Sequence, residues 1–250
     1  MLTHTGNLYE RASFLVDMSE AARYEIAMTR SRGEASKLAG GDQSSSASEP
    51  SRVRIIGAAE SVFSERGFDA GTLREVSGDA GVPLSLITYH YGDKLGLYRG
   101  VFEARTPQIV QQRLAGLALA DLEEDPARRL ELIIKALLVP MLALRETDSG
   151  RKFAVLLARE IADPSSPRRG IVQHLMQPVT SGFFSRLEQV LPDKDKPSAY
   201  WAYGAMIGSM LYMLAGGGRM YEVTKGLVNP DDIRTCTDQL VSVALAGFRR

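Results

Sequence analysis

The sequence predicts an all-α protein, and three observations carry that prediction. Glycine and proline fall mostly between stretches whose apolar residues recur at helical spacing. No run of alternating apolar and polar residues marks a strand. Residues 72–94, TLREVSGDAGVPLSLITYHYGDK, read as two short helices joined by a tight turn, with a third helix starting just behind them. The 250 residues suffice for one large domain or two modest ones.

Residues 1–50 stand apart. LYERASFLVDMSEAARYEIAMTR is compatible with a helix, whereas RGEASKLAGGDQSSSASEPS is Gly/Ser-rich and reads as flexible linker. Either the segment is a disordered extension, with Met18 or Met28 as alternative starts, or it is an arm touching DNA or a partner subunit. Its five basic and seven acidic residues argue against a DNA arm. A first helix is expected over 51–66, with Ile55, Ile56, Ala59, Val62 and Phe63 as its apolar stripe and Gly67 as its stop. Thr72 and Glu75 have capping-box spacing and open a second helix to Ala80. Small residues at Ser77 and Ala80 suit a close helix crossing, and Gly81 suits a left-handed turn. A third helix is expected over 84–91, with Pro83 in its first turn, where the missing N–H costs nothing. Asp93 caps a fourth helix that begins at Lys94 and runs through Leu97, Tyr98, Val101 and Phe102 towards a kink near Pro107.

Residues 54–98 resemble the DNA-binding domain of the TetR family of bacterial transcriptional regulators. RIIGAAESVFSERGFDAGTL is similar to the family's opening helix, and AGVPLSLITYHYGDKLGLY to its helix-turn-helix and following helix. The later run Arg159-Glu160 through Pro164-Ser165, together with ITYHYGDK, resembles the CecR-like branch. The resemblance implies a DNA-binding domain over 51–105 and an effector-binding and dimerisation domain over 106–250, acting as a homodimer on a double-stranded operator. On that reading the third helix presents Leu84, Ser85, Thr88 and Tyr89 to the major groove, with His90 either beside them or packing the helix down. Arg52, Thr72, Arg74 and Lys94 lie on the phosphate side. At Lys94 the ammonium and the helix N-terminus would clamp one phosphate together.

In the second domain, Asp125-Pro126 opens a helix to about 145, bent at Pro140. Helices are expected over 150–162, over 167–191 with an interruption at Pro178, over 197–215, and from the Asn229-Pro230 turn to the end. Residues 199–215 are apolar all round, so every side must be covered. A membrane span is excluded by length, since about 17 residues fall short of the roughly 20 needed. Gly204 and Gly208 would let another backbone approach. With Ile233, Thr237, Leu240, Ala244 and Phe248 on one face of the last helix, a four-helix dimer interface is expected. Glu160 falls inside the apolar stripe of Phe153, Leu156, Leu157 and Ile161. It is either half of a structural ion pair, with Arg159 or an arginine from a neighbouring helix, or the polar anchor of an unidentified small-molecule effector. The candidate effector pocket is lined by Met141, Phe153, Leu157, Met176, Phe183, Trp201 and Met206.

Net charge is zero, and residues 51–105 hold seven basic and seven acidic side chains, so DNA binding requires segregated charge. The single cysteine, Cys236, excludes an intrachain disulfide framework and a multi-cysteine zinc site. With no basic-then-apolar signal segment, a cytoplasmic protein is expected. His4, His90 and His174 are scattered and form no catalytic constellation; no cofactor is implied. The rival readings are a helical enzyme using Glu160 or His174 as acid/base, and a helical adaptor that binds protein. The favoured reading is a non-enzymatic repressor released from DNA by its effector.

Overall fold

The computed structural model describes residues 48–249, and among them every regular element is helical. In chain order these are α1 (Ser48–Ala70), α2 (Leu73–Ala80), α3 (Leu84–Tyr91), α4 (Lys94–Ala120), α5 (Pro126–Leu142), a 3-10 turn (Ala143–Glu146), α6 (Asp148–Ala162), α7 (Ser166–Arg169), α8 (Ile171–Val190), α9 (Lys196–Leu214), α10 (Gly218–Val223) and α11 (Ile233–Arg249). The alternatives weighed for the segment before residue 48 lie outside the described residues. Residues 54–249 pack as one compact unit, and α4 runs unbroken across the expected boundary at 105–106.

Local chemistry sets most boundaries. Gly67, at φ 76°, breaks α1 one residue after the expected end, and the chain then makes one more helical turn to Ala70. Thr72 and Glu75 form the full capping box of α2, and Asp93, Asp125 and Asp195 accept from the N3 amides of α4, α5 and α9. One expectation fails. The break in the region 167–191 falls at Gly170, at φ 63°, while Pro178 sits within the continuous α8. Glycine at a left-handed φ ends a helix cleanly, whereas an internal proline removes one hydrogen bond that neighbouring packing can outweigh. Pro107 lies inside α4, which continues past it to Ala120.

The core is continuous from α1 to α11. Phe63 and Phe68 meet the Tyr98 ring edge-on at 5.1 and 4.8 Å; Tyr98 meets Phe102 at 5.2 Å, and Phe102 meets Phe153 at 5.6 Å. This aromatic ladder runs from α1 through α4 into α6. Each edge-to-face pair adds about 0.5–1.5 kcal/mol beyond burial. A polar seam runs beside it. Arg105 pairs with buried Glu60 at 2.7 Å, Lys152 donates to the Ser61 hydroxyl at 2.7 Å, and Arg159 donates to the Glu65 carbonyl at 2.9 Å.

The last two long helices correct the sequence reading. On α11 the face carrying Leu240, Ala244 and Phe248 is buried against the rest of this chain, with Ile233 and Thr237 half-buried beside it, so it is not free to meet a partner. The outward face carries Val243, 62% exposed, and Ala246. On α9, Met206, Met210 and Leu214 face inward, while Trp201, Gly204, Ala205, Gly208 and Tyr212 are exposed. Arg145, buried in the 3-10 turn, donates to the Pro230 carbonyl at 2.8 Å and pairs with Asp231 at 2.6 Å, anchoring the loop between α10 and α11. Cys236 is buried on α11, and burial pushes its thiol pKa up. No described helix is long and apolar enough to cross a membrane.

Candidate nucleic-acid interface and the groups behind it

The α2–α3 pair has the geometry of a helix-turn-helix, and three local interactions fix it. Gly81 takes φ 60°, ψ 41°, which a side chain would penalise. The Val82 amide donates to the Ser77 carbonyl, and the Ser77 hydroxyl donates back to the Val82 carbonyl at 2.6 Å. Small size at position 77 was legible in the sequence; the hydroxyl staple across the turn was not. Val76, Val82 and Ile87 are buried beneath the pair.

This packing turns one side of α3 outward. Leu84, Ser85, Thr88 and Tyr89 are exposed, Tyr89 by 80%, as a groove-reading helix requires. The Thr88 hydroxyl donates to the Ser85 carbonyl at 3.0 Å, so its proton is used within the helix and its oxygen can serve only as an acceptor. His90 and Tyr91 are half-buried, and the Tyr91 ring covers Gly100 of α4, where an added Cβ would lie 2.8 Å from it. His90 meets the rings on either side of it, Tyr89 at 5.1 Å and Tyr91 at 6.2 Å.

The basic residues divide. Arg52, Arg54 and Arg74 are exposed. Lys94 differs from expectation: its ammonium donates to the Asp69 carbonyl at 2.8 Å and sits 4.8 Å from the centre of the Phe68 ring. It therefore props α4 against the end of α1, and only its remaining donors can meet a phosphate. Thr72 is exposed, but its hydroxyl is committed to the capping box.

The eight residues expected to line an effector pocket do not surround one opening. Met141, Phe153, Leu157, Phe183 and Met206 are core residues, at most 4% exposed. Trp201 points outward, 81% exposed, because the inward positions of α9 fall at 206, 210 and 214, a register that leaves 201 on the opposite side. Met176 is half-buried on α8. Glu160 is 1% exposed and fully engaged. Arg169 forks onto it at 2.6 and 3.0 Å, the Tyr98 hydroxyl donates at 3.0 Å and Ser166 at 3.0 Å. Its partner is thus Arg169 and not Arg159. Burial and the adjacent Glu160 charge push the Tyr98 phenol well above its ordinary value. Burial works to lower the Arg169 pKa, but the hydrogen bonds and charges of Glu160 and Asp163 outweigh it and hold the guanidinium ionised. A cleft of about 300 Å³ opens beside this cluster, lined by Arg99, Glu103, Arg169, His174 and Leu175 among others. None of the eight lines it.

Comparison with known proteins agrees with this architecture. Residues 55–101 match the family described as bacterial regulatory proteins, tetR family, and residues 135–247 match the tetracyclin repressor-like C-terminal domain. Neither match singles out the CecR-like branch. The HTH-type transcriptional regulator SrpR of Pseudomonas putida is 26% identical over 143 residues, covering 57% of this chain and 60% of that protein. The HTH-type transcriptional repressor BepR of Brucella suis biovar 1 (strain 1330) is 43% identical over 58 residues, 23% of this chain and 28% of that one. The chain thus spans less than two thirds of either relative. Among solved structures, FadR from Bacillus subtilis in complex with stearoyl-CoA is 14% identical, with a TM-score of 0.52, over 78% of this chain and 98% of that one. NalD from Pseudomonas aeruginosa is 20% identical, with a TM-score of 0.51, over 80% and 97%. At such identities the structural likeness speaks for the fold. With its helix-turn-helix and its larger helical domain each matching the corresponding part of that family, the chain belongs to the TetR family of transcriptional regulators.

Proposed function

We propose that this chain is a cytoplasmic, homodimeric, non-enzymatic repressor that binds a double-stranded operator and is released by a small-molecule effector. The observation that carries DNA reading is the outward face of α3, where Ser85, Thr88 and Tyr89 stand exposed on a helix pinned by the Ser77–Gly81 turn. Two such helices must reach successive major grooves about 34–36 Å apart, which calls for a dimer. The exposed face of Trp201, Gly204, Gly208 and Tyr212 on α9, continued by Val243 on α11, supports that interface, because contiguous apolar and small residues seldom face solvent. BepR is a repressor, NalD is a secondary repressor of a multidrug efflux pump, and FadR was captured with stearoyl-CoA; these support repression and effector binding here. The aromatic ladder and the polar seam join the reading head to the larger domain, so an effector that shifts α4 or α6 would respace the two α3 helices.

Selection of bound fragments from genomic DNA, followed by salt titration, tests this. A single preferred site should emerge with Kd of about 10⁻⁸–10⁻¹¹ M and strong salt dependence. Lys94→Ala should weaken binding to all sequences and lower the salt slope by about one unit per lost contact per subunit. Absence of any preferred fragment would overturn the reading.

A further inference from the structure

Arg113 of α4 is 5% exposed, at a point where α5, α8 and α9 converge on its guanidinium. Each of the other fully buried charged side chains among the described residues has an opposite charge in contact: Glu60 with Arg105, Arg145 with Asp231, Glu160 with Arg169. Arg113 meets no carboxylate. Its Nε and Nη2 both donate to the Leu137 carbonyl, at 3.0 and 2.7 Å. Its Nη1 lies 3.6 Å from the Met176 sulfur, and Nη2 lies 3.9 Å from the Met210 sulfur. A thioether is a weak acceptor, so the outer edge of the fork, the edge that pairs with carboxylates, faces groups that barely satisfy it. Burial pushes its pKa down to about 10, which leaves it cationic at neutral pH. An uncompensated buried charge is costly, and a leucine or methionine would fill the same space without that cost. The Leu137 carbonyl accounts for two of its donors, but no carboxylate balances its charge. Methionine is unbranched and readily changes rotamer; Met176 is half-buried and so the freer of the two to move aside, while Met210 is packed in the core.

We propose that Arg113 is the anion-recognition residue of the effector site, and that the effector is an organic acid: an apolar body bearing one carboxylate or a comparable anionic head. The acid's oxygens take the places of the Met176 and Met210 sulfurs on the fork, and its body lies among the apolar side chains around Leu137. The proposal rests on the effector-released reading above. It also explains how binding reaches DNA, since Arg113 and Lys94 share one helix, about 28 Å apart along its axis at the usual rise per residue.

The test uses the full chain as wild type, Arg113→Met and Arg113→Lys. Isothermal titration compares sodium dodecanoate with dodecan-1-ol, and 2-naphthoate with naphthalene-2-methanol, below any micellar concentration. Wild type should bind at least one acid about tenfold or more tighter than its matched alcohol. Arg113→Met should bind acid and alcohol alike, and Arg113→Lys should keep part of the preference. Absence of acid preference in wild type, with or without alcohol binding, overturns the proposal, as does full preference in Arg113→Met. If Arg113→Met does not fold, the wild-type ratio and its reduction in Arg113→Lys decide the matter alone. Operator binding measured on the same samples separates the two readings. Loss of acid preference with normal operator binding leaves the regulator standing. An Arg113-dependent acid preference in a protein that selects no DNA sinks the regulator and spares the acid site.

Discussion

Glu160→Gln isolates the ion pair at the junction of α6, α7 and α4. The glutamate accepts from Arg169, Tyr98 and Ser166 and is 1% exposed, so the amide has no water to fall back on. Glutamine preserves one acceptor, which Tyr98 or Arg169 can use, but its NH₂ then faces another donor. Breaking a buried ion pair costs about 3–5 kcal/mol. Asp163 also pairs with Arg169, at 2.5 Å, so the stranded cation keeps one partner and the loss should lie at the lower end, about 3 kcal/mol. For a chain of this size that is a fall in melting temperature of roughly 6–12 °C. Differential scanning calorimetry at pH 7 reads it directly, and operator binding should weaken with or without effector. A fall of less than about 2 °C would refute the reasoning. A raised effector requirement in a protein of unchanged stability would return Glu160 to the role of ligand anchor.

Ser85→Ala should cost about 1–3 kcal/mol and relax preference at only some operator positions, while Thr88→Ala should cost less because its proton is already used inside α3; competition binding against single-base operator variants tests the order. Gly208→Leu should not lower the melting of the isolated subunit, since beyond the local helix backbone nothing in this chain lies within 4 Å of an added Cβ and leucine favours the helix, yet it should weaken the dimer by about 1–3 kcal/mol per site; an intact dimer in sedimentation would remove Gly208 from the interface. Hydrogen bonds from Arg186, then its charge, then Arg129, hold the Asp121 carboxyl below its ordinary value. The stability it adds is therefore fully present above about pH 4, the unfolded value, and is lost as pH falls through the lower folded one. Asp121→Asn should flatten that part of an acid melting series, and an unchanged profile would contradict the assignment.

What the sequence disclosed and what it hid follow from how local each interaction is. Thr72 with Glu75, Gly81, Asp93 and Asp125-Pro126 act over three or four residues, so their spacing alone identifies caps and turns, and all form as read. The apolar periods of α1 and α11 likewise fall on buried faces. Glu160 was visible as a misplaced carboxylate, but its partner Arg169 sits beyond the end of α6, brought back by a chain reversal no periodicity encodes. Arg113 gave no signal, because one arginine among the three of a 27-residue helix resembles any solvated charge until α5, α8 and α9 close over it. On α9, apolar residues surround the helix, so composition could not say that 206, 210 and 214 face in and 201 faces out.

Cys236 gives the chain an unusual chemical quietness. It is the one thiol in 250 residues, it is buried on α11, and burial disfavours its thiolate, the form that reacts. Maleimides and methanethiosulfonates should consequently find almost nothing to modify in the native chain. A cysteine introduced at exposed Ser85 would then be the fast-reacting position on each subunit, with no native residue to remove first. Two spin labels attached there in an assembled dimer would report the separation of the α3 helices as a distance distribution, before and after an organic acid is added.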